Sequence, residues 1–412
     1  MFYLNTKEFL NTVCEQLKYK PARKPISEEL ENHIEDIKND NLCKGYSEKE
    51  AEENAVEQMG DAKQIGKKLN KIHKPKLDWV ILIFIAILLG FRIILAFKSW
   101  IECINLYGYP FRIADFLSTE YHLIKYLIIG IILGVIVYFF DYRKTKKWSN
   151  IIYFIATMLL IFQWINWYFN IDFEILKLPL GINMRLWNAC IPLYIIAFAG
   201  YMADYKKEDF WDMIILYTIS CVLIYAQSGS ITNTTILILA YLAIVASKML
   251  QNNIAIKKVA TVLGGTICIA IVSMLLMTHI GTADAPEEVS YSNSSHFRFL
   301  YILGKLGIIP AVILAGTIIF MSIRLIKNSK NIKDVYGKYL IIGLGTTYIV
   351  QSVIHVLMNL NLWIRADVNL PFVAEGGLYF LINSFTFAVI LSVYRRKNIN
   401  FETVEINAKA SE

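Results

Sequence analysis

The sequence is poor in charge and lacks the patterns of a secreted or metal-stabilised protein. Charged residues make up 18% of its 412 residues, and its hydrophobic share is 56% with a mean hydropathy of +0.46. Ordinary globular chains carry about 25% charge. The 6 cysteines form no CxxC pair and no Cys/His cluster, which argues against a disulfide framework or a zinc site. No basic segment leads into an apolar core at the start, so we expect no secretory signal there.

The charge that is present is concentrated near the N-terminus. Residues 1–77 hold 28 of the 75 charged residues, 14 basic and 14 acidic. A polar segment of this kind followed by long apolar runs indicates two domains of different solvent preference. We therefore predict a cytoplasmic helical domain over residues 1–76, a membrane domain over 77–397 and a cytoplasmic tail over 398–412.

The polar domain has the periodicity of a bundle of about four helices. Residues 4–18 predict a first helix, and prolines at positions 21 and 25 interrupt the chain. Apolar residues spaced by three or four predict a second helix over about 27–43. The "SEKE" segment predicts a capping box from Ser47 to Glu50, and the third helix then ends at Gly60. Asp61 caps a fourth helix.

This domain resembles a known module. Its pattern "EELENHIEDIKND…GYSEKEAEENAVEQMGDAKQIGKKL" is similar to the permease-prefix, or HAAS-type, domain that precedes many bacterial membrane proteins. The resemblance implies a regulatory or docking module with a cytoplasmic partner of unknown identity.

Ten apolar runs are long enough to cross roughly 30 Å of hydrocarbon. They lie near residues 79–98, 123–141, 149–168, 188–204, 212–227, 231–250, 258–278, 298–323, 336–359 and 371–394. The loops between them place 17 Lys and Arg residues on one side and 7 on the other, so the positive-inside rule predicts both termini in the cytoplasm. The predicted fold class is an all-α, polytopic protein of the bacterial cytoplasmic membrane. Its basic loops are explained by topology and indicate no nucleic-acid partner.

Some polar side chains fall within these runs. Arg92 lies in the first run, and Gln351 and His355 share one face of the ninth because they are four residues apart. A charge inside a span costs about 2.5–3.5 kcal/mol on insertion and usually faces a cavity or a partner. Hydrogen bonding between helices is the simpler interpretation of Gln351 and His355.

The tenth run opens with "LPFVAEGGLYFL", residues 370–381. Pro371 suits the first turn of a helix. Gly376 and Gly377 allow close approach of backbone or ligand, and Glu375 would project into a polar cavity. Because irregular backbone at membrane depth is tolerated only against protein or water, we expect a broken or re-entrant start to the last span.

These motifs resemble the SEDS family (FtsW/RodA/SpoVE). "LPFVAEGGLYFLINSFTFAVILSVYRR" is similar to that family's LPFISYGGSS signature, and "HFRFLYILGKLGIIPAVIL" is similar to its DFIFAVIGEELGFIGA segment. The resemblance covers about residues 79–396. It implies a ten-span peptidoglycan glycosyltransferase that polymerises a lipid-linked precursor at the outer membrane face. It further implies a single-pass transpeptidase partner, a class B penicillin-binding protein, and Mg²⁺ or Mn²⁺ as the cofactor of an active enzyme.

The family pattern is broken at positions that carry chemistry. His296 replaces the family's essential Asp, and Asp284, Glu287 or Glu288 in the same outer loop could supply the missing carboxylate, with Asp284 as the selected candidate. A histidine can serve as a general base. Arg185 and Lys305 are candidates for contact with a pyrophosphate. The full set of predicted substrate-binding residues is Arg185, Lys305, Gln351, His355, Pro371, Glu375, Gly376 and Gly377.

Three interpretations therefore stay open at this point. The protein polymerises the precursor with altered residues, binds precursor or a cell-wall partner without catalysis as a regulator, scaffold or sensor, or transports or senses another lipid amphiphile. The sequence leaves elongation, division and sporulation open as the process it serves.

Overall fold

A computed structural model describes residues 5–107, 121–169, 186–205, 210–252, 298–363, 368–374 and 377–398. Every regular element among these residues is a helix, which confirms the all-α prediction for the described part of the chain. The chain divides into two compact units. The N-terminal unit comprises Met1–Leu77, Asn331–Asp334 and Tyr394–Glu412, and the membrane unit comprises Asp78–Lys330 and Val335–Val393.

The N-terminal unit is a small helical bundle. Its helices are α1 (Thr6–Gln16), α2 (Arg23–Cys43), α3 (Glu48–Met59) and α4 (Ala62–Ile72), with a 3₁₀ turn at Lys20–Ala22. Its apolar core is formed by side chains from all four helices, among them Phe9, Val13, Ile34, Ala55 and Ala62.

The predicted helix ends are confirmed around α3 and α4. The Ser47 hydroxyl accepts from the Glu50 backbone N–H and the Glu50 carboxylate accepts from the Ser47 backbone N–H, which is the predicted capping box. Gly60 ends α3 with a φ of +87°, a conformation that suits glycine. The Asp61 carboxylate accepts from the Lys63 N–H at 2.8 Å and so caps α4.

The predicted interruption at Pro25 is wrong. Helix α2 begins at Arg23 rather than near residue 27, and Pro25 lies in its first turn. The first four N–H groups of a helix have no partner within it, so the missing N–H of a proline costs no hydrogen bond there. The sequence-based prediction placed the start of α2 after Pro25, but a proline is compatible with the first turn of a helix.

The membrane unit consists of eleven helices among the described residues. They are α5 (Trp79–Tyr107), α6 (Tyr121–Phe139), α7 (Arg143–Lys147), α8 (Ser149–Phe169), α9 (Leu186–Asp204), α10 (Phe210–Ser228), α11 (Ile231–Asn252), α12 (Arg298–Lys305), α13 (Ile308–Lys330), α14 (Val335–Asn359) and α15 (Gly377–Arg395). Helices α9, α11 and α14 contact one another and form the centre of the unit. The apolar segment of α9 is 78% buried, whereas that of α10 is 28% buried.

Most of the predicted spans correspond to helices. Within the described residues, 7 helices are long and apolar enough to cross a membrane: α5, α9, α10, α11, α13, α14 and α15. Helices α6 and α8 contain shorter apolar segments, Ile124–Phe139 and Ser149–Ile165. The predicted seventh span, residues 258–278, lies outside the described residues. The total of ten spans therefore stays a prediction.

The predicted eighth span is not one continuous helix. It is divided into α12 and α13 by a turn at Gly307, whose φ is +92°. Only glycine adopts this conformation readily. The prediction of one helix over 298–323 is wrong in this respect, because a glycine within an apolar run does not reveal by itself whether the helix bends or stops.

A buried ion pair joins α5 to α13. Asp78 is 1% exposed, and its carboxylate accepts from Arg324 Nε and Nη2 at 3.0 Å each and from Asn328 Nδ2 at 2.7 Å. The same carboxylate accepts from the Val80 N–H at 3.2 Å and so caps the start of α5. One side chain thus satisfies a helix terminus and a guanidinium from a distant part of the chain.

Replacing Asp78 by alanine is expected to destabilise the membrane unit by about 2–4 kcal/mol, because breaking a buried ion pair leaves the partner's charge without compensation. Arg324→Ala should cost less, since that side chain is 25% exposed. The thermal unfolding midpoint of the purified protein measures both effects. We expect Asp78→Ala and Arg324→Ala together to cost little more than Asp78→Ala alone, and fully additive losses would show that the two side chains are not coupled.

Candidate functional site

A cavity lies inside the membrane unit between α9, α11, α14 and α15. Its volume is about 50 Å³, and it is partly open to the surroundings. Eight of the side chains that line it carry hydrogen-bonding groups: Asn188, Asn233, Thr347, Tyr348, Gln351, Tyr379, Asn383 and Thr386. Within the described part of the chain, no Asp, Glu, Lys, Arg or His lines this cavity. The described part of its walls is therefore uncharged and offers several polar groups.

Two asparagines give the cavity unused hydrogen-bonding capacity. Asn188 on α9 is 7% exposed and Asn233 on α11 is 3% exposed. Neither side-chain Nδ2 has a hydrogen-bond partner among the described residues. A buried amide without a partner costs about 1–3 kcal/mol. Each Nδ2 is therefore available to donate to a water molecule or a ligand that enters the cavity.

A proline adds a further acceptor beside Asn188. Pro192 lies inside α9 and also lines the cavity. Because proline has no N–H, the backbone carbonyl of Asn188, four residues earlier, loses its usual donor within the helix. Asn188 thus contributes an amide donor from its side chain and an acceptor from its backbone. This combination suits a ligand with neighbouring hydroxyl and amide groups.

One face of α14 holds two irregular segments in place. Gln351 Nε2 donates to the Asn369 carbonyl at 2.8 Å, and His355 Nδ1 lies 2.9 Å from the Val368 carbonyl. One turn further on, Asn359 Oδ1 accepts from the Leu300 N–H of α12 at 2.9 Å. These side chains satisfy backbone groups that have no partner within a helix.

The segment before α15 is a buried turn, as the irregular start to the last span predicted. Residues 368–374 are all buried, and the Leu370 carbonyl accepts from the Val373 and Ala374 N–H groups. Phe372 has a φ of +63°, an uncommon value for a residue with a side chain. Its ring contacts Phe387 with 5.2 Å between centroids. Buried irregular backbone of this kind is tolerated in a membrane because protein surrounds it.

The role predicted for Pro371 is wrong in detail. The last helix begins at Gly377, so Pro371 lies in the turn before it and not in its first turn. The bonds from Gln351 and His355 to the preceding carbonyls and the close contacts of Phe372 fix this turn. These tertiary interactions, which the local sequence does not show, outweigh the tendency of proline to start a helix.

Gly377 allows a close helix contact. A Cβ at this position would overlap the ring of Tyr126 on α6. The predicted close approach at Gly377 is thus made by a protein side chain, and it brings α15 against α6. One turn along α15, Phe380 contacts Gly130 of α6 in the same way. Arg92 of α5 lies over the Phe380 ring at 5.4 Å, so this buried guanidinium faces an aromatic ring.

The predicted site residues divide into three groups. Gln351 lines the cavity, and His355 contacts the backbone next to it without being among the lining residues. Lys305 is exposed at the end of α12, where its carbonyl accepts from Lys98 Nζ. The remaining predicted residues lie outside the described part of the chain: Arg185, Asp284, His296, Glu375 and Gly376.

The described residues offer no evident metal site. No group of three or more His, Cys, Asp or Glu side chains that could hold an ion occurs among them. The acidic residues and His296 of the predicted outer loop lie outside these residues. A role for Mg²⁺ or Mn²⁺ therefore stays a sequence-based prediction.

The sequence prediction missed Asn188, Asn233 and Asn359. Each is an asparagine within or at the end of an apolar run, and that signal was as clear as the one that identified Gln351. Only the packing of the helices shows that the first two face a shared cavity.

Comparison with known proteins gives a consistent result. A scan against protein-family models finds no match. The probable peptidoglycan glycosyltransferase FtsW of Nitrosomonas europaea is 22% identical over 380 residues, which cover 79% of this chain and 94% of that protein. The protein of the same name from Enterococcus hirae is 30% identical over 105 residues, and this match spans only about a quarter of each chain, 26%.

Solved structures share the fold. The rod shape determining protein RodA of Thermus thermophilus superposes with a TM-score of 0.57 at 14% identity, covering 78% of this chain and 97% of that chain. A chain in a structure described as "Structural coordination of polymerization and crosslinking by a peptidoglycan synthase complex" gives a TM-score of 0.58, also at 14% identity, and covers 78% and 98%. The chain is thus similar in sequence to FtsW proteins over most of its length, and it shares the polytopic helical fold of RodA.

Proposed function

We propose that this protein is a divergent SEDS-type protein of cell-wall synthesis that acts on or binds lipid-linked peptidoglycan precursor. The observation that carries this proposal is the neutral cavity with the free amides of Asn188 and Asn233. Sugars with acetamido groups present hydroxyl and amide groups and carry no charge, so they match such walls. The similarity to FtsW over most of the chain supports the same substrate class.

The catalytic and charged contacts of the proposal come from the sequence. His296 would act as general base on the attacking sugar hydroxyl, with Asp284 as the substitute carboxylate. Arg185 and Lys305 would contact the pyrophosphate, and Glu375 would lie in the polar entrance. Mg²⁺ or Mn²⁺ would neutralise the leaving pyrophosphate. These roles rest on the family resemblance.

The partners and the topology are proposed on the same basis. A single-pass transpeptidase of the class B penicillin-binding type is the expected partner, and the fold match to a chain of a peptidoglycan synthase complex supports it. We place both termini in the cytoplasm on the distribution of Lys and Arg. The N-terminal unit would be a permease-prefix module that binds a cytoplasmic partner.

The test is glycan polymerisation by the purified protein. It is supplied with lipid-linked precursor, with Mg²⁺ or Mn²⁺, and with candidate single-pass transpeptidases, and His296→Ala and His296→Asp are assayed beside the native protein. We expect polymer from the native protein and at least about a hundredfold less from His296→Ala, the usual scale for loss of a general base.

The other outcomes separate the alternative functions. Polymer from His296→Asp alone would show an intact cavity without native catalysis, and hence a binding protein that regulates or senses. An absence of polymer from all three proteins contradicts the enzyme. If precursor binding is also absent, the result favours transport or sensing of another lipid amphiphile, which a transport assay then tests.

A further inference from the structure

The N-terminal unit has a strongly uneven charge. Residues 23–59, which contain α2 and α3, carry 11 acidic and 5 basic residues, whereas residues 62–77 carry 6 lysines and no acidic residue. All six lysines are exposed. We call them the basic surface: Lys63, Lys67, Lys68, Lys71, Lys74 and Lys76.

Helix α4 directs its lysines away from the bundle. Ile65 and Leu69 pack against the apolar core, and a Cβ at Gly66 would lie 2.7 Å from Gln16 Cβ, so α4 rests closely on α1. At 3.6 residues per turn, Lys63 and Lys67 fall on the opposite side of the helix from these three. The apolar side is therefore used within the unit, and the basic side is left for an external partner.

The described residues of the unit do not neutralise the basic surface. None of its ammonium groups forms an ion pair among the residues that the structure describes. Like charges close together repel one another, and only salt or an anionic partner relieves the repulsion. Several uncompensated lysines in one short segment thus favour binding of an anion.

Residues 394–398 bring three further basic side chains to the same place, and Asn331–Asp334 brings one basic and one acidic side chain. Asn398 Nδ2 donates to the Ile72 carbonyl at 2.8 Å, and the Lys76 N–H donates to the Arg395 carbonyl at 3.4 Å. The Lys333 N–H donates to the Lys397 carbonyl at 3.3 Å. The bonds from Asn398 and to Arg395 hold residues 72–76 beside the basic residues 395–397.

The pKa of His73 is lowered by its surroundings at the end of α4. Burial lowers its pKa, the positive charge of Lys333 lowers it further, and the carboxylate of Glu29 opposes them in part. The imidazole is thus largely neutral at pH 7, and the charge of this region comes from lysine and arginine. Burial is the main cause of the lowered pKa of His73, and the contribution of Lys333 in the same direction agrees with a positive potential at this end of α4.

The position of the basic surface in the chain indicates its partner. Lys76 precedes Trp79, the first residue of the first span, by three residues, so their Cα atoms are at most roughly 11 Å apart. The Trp79 side chain is 67% exposed, as is common for aromatic residues at the membrane interface. Groups tethered this closely to a span reach lipid headgroups at high local concentration, whereas a soluble anion has no such advantage.

We propose that the basic surface binds the headgroups of anionic phospholipids on the side of the membrane where the first span begins. Each lysine near an anionic membrane surface contributes about a fivefold gain in affinity. The contact would fix the N-terminal unit on the membrane in a lipid-dependent way. This proposal is independent of the proposed function, because it concerns a different unit and a different ligand.

Hydrogen exchange of the full-length protein in lipid nanodiscs tests the proposal. We expect backbone amides of residues 62–76 to exchange at least about fivefold more slowly in discs with about 30 mol % phosphatidylglycerol than in pure phosphatidylcholine discs at low salt. The difference should fall strongly above about 0.5 M salt, where charges are screened within a few ångströms. The peptide Glu48–Met59 should exchange equally in both discs, which controls for folding of the unit.

Two variants with the same change in net charge sharpen the test. Combining Lys63→Gln, Lys67→Gln, Lys68→Gln and Lys71→Gln should abolish the lipid-dependent protection. Four substitutions elsewhere on the unit should preserve it: Lys7→Gln, Lys20→Gln, Lys44→Gln and Lys49→Gln. Equal exchange of the native protein in both lipids, or equal loss in both variants, would overturn the proposal. Protection by soluble polyphosphate in phosphatidylcholine discs would instead identify a soluble polyanion and contradict the lipid assignment.

Discussion

Replacing Gly377 by valine is expected to displace the start of α15 and to disable the cavity. A Cβ at this position overlaps the Tyr126 ring, and valine adds two further methyl groups. Overpacking of this kind costs about 1–3 kcal/mol. Because Tyr379 on the same helical turn lines the cavity, a shift of the backbone also moves the cavity wall. We expect a lower thermal unfolding midpoint and at least about a tenfold loss of precursor binding, since small misplacements weaken positioned contacts strongly.

A compensating substitution tests the cause. Tyr126→Ala removes the ring that the valine would meet, so Gly377→Val combined with Tyr126→Ala should recover part of the stability that Gly377→Val loses. Gly134→Val is the matched control, because Gly134 lies on the same helix as Tyr126 and a Cβ there meets nothing within 4 Å. If Gly377→Val leaves both the midpoint and binding unchanged, the close approach of α6 and α15 is not important for the cavity.

Local rules predicted the N-terminal unit well because its helix ends depend on neighbouring residues. The capping box at Ser47 and Glu50, the stop at Gly60 and the cap at Asp61 each involve groups within four residues of one another. Side chains this close determine helix ends without help from the rest of the fold. The exception was the helix start predicted after Pro25, and this error affected the first residues of α2 only.

The membrane unit could be predicted as a set of spans but not as a site. Long apolar runs identify spans because length and composition suffice, and nine of the predicted runs correspond to described helices. Whether Gln351 or Asn233 faces lipid, another helix or a cavity depends on helix rotation and on which helices are neighbours. Neither follows from periodicity when every face of a helix is apolar.

Helix α14, the ninth predicted span, contacts both segments that resemble SEDS motifs, the turn before α15 and the start of α12. Gln351 and His355 hold residues 368 and 369 before α15, and Asn359 holds the first turn of α12. Sequence reasoning left open whether Gln351 and His355 bind substrate or join helices. Their contacts with backbone carbonyls favour a positioning role, in which α14 holds the buried turn before α15 beside the cavity. Gln351 also lines that cavity and so remains a candidate for direct contact.

Replacing Asn188 and Asn233 by leucine is expected to change stability and ligand binding in opposite directions. Each substitution removes a buried Nδ2 that has no partner among the described residues and retains a similar side-chain volume. Relief of an unsatisfied amide is worth about 1–3 kcal/mol. We expect the thermal unfolding midpoint of the free protein to rise by about 2–4 °C for each substitution.

Binding should weaken in the same variants. A neutral hydrogen bond contributes about 0.5–1.5 kcal/mol, so loss of both amides should lower the affinity for lipid-linked precursor by about tenfold or more. Titration of the precursor into the purified variants, beside the midpoint measurement, gives both quantities from one preparation. An increase in stability without a loss of affinity would show that the cavity is not where the precursor binds.

Tyr241→Phe provides the matched control for this pair. The Tyr241 hydroxyl is also buried in the membrane unit, but it donates to Ser220 Oγ at 3.1 Å, and Tyr241 does not line the cavity. Loss of a satisfied hydrogen bond should lower the midpoint and leave precursor affinity unchanged. A midpoint that falls in Tyr241→Phe and rises in the asparagine variants would distinguish a hydroxyl that stabilises the fold from amides that are available to a ligand. A lower midpoint in the asparagine variants as well would mean that their amides have partners in the folded protein, and the assignment of the cavity as a binding site would lose its main support.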